Sequence, residues 1–211
     1  MTRHELGAEW LIDHAAGTLS AGQSMFVASC LAMHPGTRND VRAAAEIGGT
    51  MLDALAPDTL SADALSRILA SLDDMPPTSP AARSADPVPT EVRSLIEGTS
   101  DKLNWRFLVP GLARVPLWQN GDEKLWLMRA MPGSELPIHG HRGAELTLVL
   151  KGSFADAHNS FTRGDVQECN DEVEHSLTVG PDEVCICLLL TKGRLRFKSL
   201  LARATALIIR I

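Results

Sequence analysis

The spacing of hydrophobic positions changes near the middle of the chain. In residues 1–73, apolar residues recur at the spacing of amphipathic helices. In residues 91–211 they alternate with polar residues, which is typical of half-buried strands. Between the two parts lies DMPPTSPAARSADPVPT, residues 74–90, whose five prolines disfavour both a helix and a sheet. The pattern therefore predicts a helical domain, a proline-rich linker and a β domain.

Four short helices are predicted in the first part. Gly17 ends the first, and Ser20 or Thr18 can cap the second, which ends at His34-Pro35-Gly36. Short helices are stable only when their apolar faces pack together, so we expect a compact bundle. The helices are predicted at residues 5–16, 20–33, 41–55 and 62–72.

The second part contains short strands that are separated by turn residues such as Asn120-Gly121-Asp122. The clearest strands are WRFLV, ARVPLWQ, KLWLMRAM, ELTLVL, SFADAH and EVCICLLLT. Short strands with frequent turns are typical of an antiparallel sandwich or barrel. The fold class predicted for the whole chain is therefore α+β in two domains, a helical bundle followed by an antiparallel β-barrel.

Composition excludes several kinds of partner and location. The formal net charge of -6 and the absence of a basic block argue against direct binding to nucleic acid. No run of about 18 apolar residues is present, so no membrane span is predicted. The first residues do not resemble a secretory signal, and the four cysteines form no disulfide framework. We therefore expect a cytoplasmic protein with reduced thiols.

The stretch PIHGHRGAEL combines ligand-type residues at alternating positions. His139, His141 and Glu145 lie on one face if the stretch is a single strand, and Gly143 leaves space between them. Imidazole and carboxylate groups at this spacing suit a divalent transition ion, whose charge offsets their desolvation. A fourth ligand must come from a neighbouring strand, and His175 in DEVEHSLTV is the candidate.

The spacing Gly133-x5-His139-x-His141-x3-Glu145-x6-Gly152 resembles the first motif of the cupin family. Gly164 and His175 keep the spacing of the second motif, although Asn170 and Glu172 replace the proline and glycine that are usual there. The resemblance implies a jelly-roll barrel with His139, His141, Glu145 and His175 around one ion. Zinc is the expected ion, with iron, manganese or nickel as alternatives. A cupin that keeps these residues without an ion is the competing interpretation.

Two further features of the strands leave alternatives open. Leu146, Leu148 and Leu150 lie opposite the ligand face, so the linker, the helical domain or a second copy of the chain can cover them. A plain sandwich without such a cover is an alternative. Cys185 and Cys187 stand two apart on one strand, either as an oxidisable pair near the metal or as two small buried residues.

The segment HAAGTLSAGQSMFVASCLAMHPGTR resembles the zinc-binding anti-sigma domain of ChrR-type regulators, and the resemblance extends through the linker into the β domain. Such proteins bind an extracytoplasmic-function sigma factor with four helices and respond to singlet oxygen or organic hydroperoxide through a cupin. In the family pattern, zinc is held by a His and by His-x3-Cys-x2-Cys. Here Cys30 and His34 have exchanged types, and Thr37 replaces the last cysteine, which leaves His4, Cys30 and His34 as a degenerate site.

These observations support three hypotheses for function. The first is a cytoplasmic anti-sigma factor that senses oxidative stress through a metal-bound cupin and has no catalytic residues. The second is a metal-dependent cupin enzyme, a dioxygenase or isomerase acting on a small acid or thiol. The third is a metal-binding interaction module with another partner. A homodimer formed through the cupin is compatible with each of them.

Overall fold

The structure, a computed structural model, describes residues 4–73, 88–98, 103–171 and 174–197. Most of the predicted linker lies outside these residues, and the domain boundaries stay predictions. The helices are α1 Ala8–Ala16, α2 Ala21–Met33, α3 Arg38–Asp53, α4 Ala64–Asp73 and α5 Thr90–Glu97. The strands are β1 Arg106–Val109, β2 Leu112–Asn120, β3 Glu123–Ala130, β4 Glu135–Arg142, β5 Glu145–Lys151, β6 Ser153–Ala155, β7 Ser160–Thr162, β8 Val166–Cys169, β9 Glu174–Val179, β10 Cys185–Lys192 and β11 Arg194–Phe197.

The ends of the first two helices follow from local chemistry. Gly17 follows α1 with a φ of 71°, a left-handed conformation that glycine adopts at little cost. The Ser20 hydroxyl accepts a hydrogen bond from the Gln23 amide, and the Gln23 side chain accepts one from the Ser20 amide. This capping box starts α2, and Pro35 begins a short 3-10 turn after it. The predicted signals at Gly17 and Ser20 are therefore confirmed.

The β domain is formed by two antiparallel sheets, as predicted. One sheet has the strand order β1-β2-β3-β10-β5-β8, and the other has the order β11-β4-β9-β6-β7. Alternate residues of the central strands face the space between the sheets and form a buried core. This core contains Trp126, Met128, Ala130, Val149, Phe154, Phe161, Leu177, Val179, Cys185, Cys187 and Leu189.

The helical domain covers the outer face of the six-stranded sheet. Leu146, Leu148 and Leu150 of β5 point to this face and are almost completely buried. Phe26 of α2 and Val92 of α5 belong to the same apolar cluster. The sequence left open which part of the molecule covers this face, and in the structure α2 and α5 cover it. Helix α5 was not predicted from the sequence.

The first three helices pack together, but much of the remaining apolar surface is exposed. Leu11 and Val27 form a small core between α1 and α2, with Val41 of α3 packed against it. The second half of α3, the following loop and α4 carry an exposed apolar stripe, which differs from the expectation of a closed bundle. No helix among the described residues has the length and hydrophobicity needed to cross a bilayer. The stripe consists of Ile47, Met51, Leu52, Leu55, Leu60, Leu65, Ile68, Leu69 and Leu72.

Candidate metal centre

The expectation that His139 and Glu145 share one strand is wrong. β4 ends at Arg142 and β5 begins at Glu145, and these strands belong to different sheets. Gly143 lies between these two strands, where the chain passes from one sheet to the other, and has a φ of 132°. A Cβ at this position would overlap the carbonyl oxygen of Lys192. Glycine is therefore required by backbone conformation and by the close approach of the β10–β11 turn, not by crowding among ligands.

Two histidines meet across neighbouring strands of the five-stranded sheet. His139 of β4 and His175 of β9 are direct partners in the antiparallel register. Their Nε2 atoms lie 3.1 Å apart, and both residues are buried. Two nitrogen ligands at about 2.1 Å from one ion are roughly 3.0–3.4 Å apart, so this separation suits a shared cation.

Glu145 approaches the two histidines from the opposite sheet. Its carboxylate is buried, and ligand atoms of His139, Glu145 and His175 lie within 4.8 Å of one another. The Thr147 hydroxyl donates a long hydrogen bond of 3.5 Å to Glu145 Oε1. The predicted ligands His139, Glu145 and His175 are thus brought together. His141 is also on β4, but its side chain lies outside the described part of the structure, and its role as a ligand stays a prediction.

Burial perturbs the charge states of this group. It raises the pKa of Glu145 to about 7, partly offset by the hydrogen bond from Thr147. Burial, followed by the positive charge of His139, lowers the pKa of His175 to about 4. A cation placed between these residues would favour the ionised carboxylate and the neutral imidazole. The donor set therefore fits a divalent transition ion.

Cys169 adds a sulfur to this site, and the sequence analysis missed it. Its Sγ lies 3.5 Å from Nδ1 of His175, and it is the register partner of Glu145 across β5 and β8. Two residues earlier, Gln167 is buried and donates from Nε2 to Asp156 Oδ2 at 2.8 Å. No local pattern indicates Cys169, because its proximity to His175 depends on long-range strand pairing.

Cys185 and Cys187 both point into the core between the sheets. They are free and buried, with their Sγ atoms 3.6 Å apart. The contact with Cys185 and burial both raise the pKa of the Cys187 thiol well above its usual range. The Cys187 thiol is therefore neutral at neutral pH, and a redox role for the pair stays a prediction.

The residues of the degenerate N-terminal site have separate surroundings. The ring of His4 packs on Phe161, with centroids 4.6 Å apart, whereas His34 Nε2 lies 2.6 Å from the Gly164 carbonyl oxygen. Cys30 is fully buried in the cluster between α2 and the sheet, and burial strongly raises its pKa. Among the described residues, the group of close metal-type ligands includes none of His4, Cys30 and His34. A zinc ion held by these three stays a prediction without geometric support.

Comparisons with known proteins agree with this architecture. Residues 95–194 match the family described as the ChrR Cupin-like domain. Over 202 residues the chain is 35% identical to the anti-sigma-E factor ChrR of Cereibacter sphaeroides, and the alignment covers 95% of each chain. The chain belongs to the ChrR family of anti-sigma factors. The ChrR resemblance inferred from sequence is thus confirmed.

A solved structure supports the same relationship. The chain resembles the crystal structure of Rhodobacter sphaeroides SigE in complex with the anti-sigma ChrR, with a TM-score of 0.72 and 33% identity. The similarity covers 90% of this chain and 99% of the matched chain. The helical domain and the cupin are therefore both part of the ChrR resemblance. A local match to auxin-binding protein 1 of Arabidopsis thaliana, 32% identical, covers only 36% of this chain and 42% of that protein.

Proposed function

We propose that this protein is an anti-sigma factor that binds an extracytoplasmic-function sigma factor and responds to oxidative stress through a metal ion in its cupin. A cytoplasmic location belongs to this proposal. The observation that carries it is the exposed apolar stripe of α3 and α4 in a chain that resembles ChrR along almost its whole length. In the similar complex, the anti-sigma ChrR is bound to SigE.

The stripe has the pattern of a helix-binding surface. On α4, Leu65, Ile68 and Leu72 recur at helical spacing, and each is more than half exposed. On α3, Ile47 and Met51 repeat the pattern. Exposed apolar residues that recur along one face of a helix are unfavourable in water and are typical of binding surfaces. A sigma-factor helix that covered them would lose access to polymerase, which is the expected mode of inhibition.

The proposed sensor is the ion site of the cupin. His139, Glu145 and His175 would hold a divalent ion, zinc being the first candidate, and His141 is the proposed fourth ligand. Such an ion would fix the two sheets at a common point, because its ligands come from both. A signal that changed this site would release the sigma factor only if the changed state bound it less tightly.

Cys185 and Cys187 are the proposed second target of the signal. A hydroperoxide that oxidised both thiols would accept two electrons and two protons, leaving a disulfide, an alcohol and water. Their Sγ atoms are near each other, but both thiols are buried and the pKa of Cys187 is raised, which makes direct attack slow. We therefore place the cysteines after the metal site in the response.

Affinity purification from the source cells, followed by transcription in vitro, tests the proposal. The tagged chain should retain an extracytoplasmic-function sigma factor, identified by mass spectrometry. The purified chain should then inhibit transcription by polymerase carrying that sigma factor, and treatment with an organic hydroperoxide should relieve the inhibition. Failure to retain any sigma factor would contradict the partner, and inhibition that is insensitive to oxidants would contradict the sensing role.

A further inference from the structure

A buried thiol lies against one of the candidate metal ligands. Cys169 ends β8, the edge strand next to β5, and only 3% of its surface is exposed. The register of these strands places it opposite Glu145, and its Sγ is 3.5 Å from Nδ1 of His175. Sulfur hydrogen bonds are longer than those of oxygen, so this distance is a polar contact rather than a chance approach.

The two ring nitrogens of His175 face different partners. Nε2 is directed at His139 Nε2, whereas Nδ1 is directed at Cys169. A neutral imidazole that uses the lone pair of Nε2 as a ligand carries its proton on Nδ1. That proton can then be donated to the sulfur of Cys169. The contact would thus favour the tautomer that metal binding needs and would fix the orientation of the ring.

The geometry places Cys169 behind His175 rather than among the close ligands. Its Sγ contacts Nδ1, the ring nitrogen that does not face His139, and a cysteine sulfur can accept a hydrogen bond. The close ligand group of His139, Glu145 and His175 does not include Cys169.

We propose that Cys169 is a positioning residue of the metal centre, which accepts the hydrogen bond from His175 Nδ1–H and holds Nε2 towards the ion without binding the ion itself. This inference rests on the proposed metal binding by the cupin. Outer partners of ligating histidines commonly change metal affinity by about 10- to 100-fold when they are removed.

Titration of the full-length chain with Co²⁺ tests this role, because cobalt reports both affinity and ligand type by absorption. Cys169→Ala should weaken Co²⁺ binding by about 10- to 100-fold and shift the visible ligand-field bands. Cys169→Ser keeps an acceptor and should restore affinity to within a few-fold of wild type. Cys30→Ala removes a buried thiol of the cluster between α2 and the sheet, outside the close ligand group, and should bind Co²⁺ like wild type. Circular dichroism checks that each variant is folded, and the Ser variant separates loss of the acceptor from loss of packing.

The outcomes distinguish this inference from the proposed metal binding. If the wild-type chain binds Co²⁺ and Cys169→Ala binds it equally well with the same spectrum, the positioning role is overturned. The proposed metal binding is then unaffected. A sulfur-to-cobalt charge-transfer band that disappears in Cys169→Ala would make Cys169 a direct ligand and also overturns the positioning role. A wild-type chain that binds no Co²⁺ overturns both the metal centre and the inference.

Discussion

His34 Nε2 donates a hydrogen bond of 2.6 Å to the carbonyl oxygen of Gly164, which joins the end of α2 to the turn before β8. Two residues further, the amide of Val166 donates to the carbonyl oxygen of His4 at 2.9 Å. Two residues of the expected N-terminal zinc site are therefore engaged with the cupin. These contacts hold the start of the chain and the end of α2 against the β domain.

His34→Ala should lower the free energy of unfolding by about 1–3 kcal/mol, because it leaves the buried carbonyl of Gly164 without this donor. Amide exchange at Val166 should also become faster as the N-terminal segment loosens. Denaturant unfolding and hydrogen exchange measure these effects. His14→Ala, a change at a half-buried histidine of α1, is the control and should have a small effect. A loss of zinc from His34→Ala would instead indicate that His34 is a ligand.

Gly143→Ala should destabilise the protein by more than about 3 kcal/mol, because it combines an unfavourable backbone conformation with overlap at Lys192. Gly121→Ala is the matched control. Gly121 also has a positive φ, of 58°, but no atom lies near its added Cβ, so about 1 kcal/mol is expected. Equal losses in the two variants, measured by urea unfolding, would show that Lys192 imposes no constraint.

Ile68→Asp should weaken sigma-factor binding by at least about 10-fold, because it places a charge in the apolar surface that the partner is proposed to cover. Stability should change little, since Ile68 is 57% exposed. Ala70→Asp adds the same charge to an exposed position of α4 outside the stripe and should bind like wild type. Calorimetric titration with the captured sigma factor gives both affinities. Equal affinity for the two variants would place the interface elsewhere.

Leu148→Ala should cost about 2–5 kcal/mol, because Leu148 is completely buried where the helices cover the sheet. The helices and the β domain should unfold in one transition at a lower temperature, since α2 and β5 share one cluster. Leu60→Ala, at a position that is 84% exposed, is the control. Separate transitions in thermal unfolding followed by circular dichroism and tryptophan fluorescence would contradict a shared core.

Local patterns predicted much of this structure. Gly17 and Ser20 indicated helix ends through chemistry that lies within one turn, and alternation predicted that Leu146 and Leu148 share a face. The cupin spacing indicated His139, Glu145 and His175. The division of that motif between two sheets was missed, because the turn at Gly143 lies against Lys192, which is distant in sequence.

Residues that depend on long-range pairing were not predictable. The proximity of Cys169 to His175 requires the β5–β8 register, and the contact of His34 with Gly164 requires the docking of α2 on the sheet. Helix α5 follows the prolines directly, and its only signal was the helical spacing of Val92 and Ile96. In each case the deciding interaction is between distant parts of the chain.

A count of bound metal per chain tests the central claim most directly. Elemental analysis of the purified wild-type protein should find one divalent transition ion per chain, and His139→Ala and His175→Ala should lose it. His158→Ala, at an exposed turn, and Cys30→Ala, in the helical cluster, should keep it. A wild-type chain without metal, or full occupancy in His139→Ala, would contradict the account.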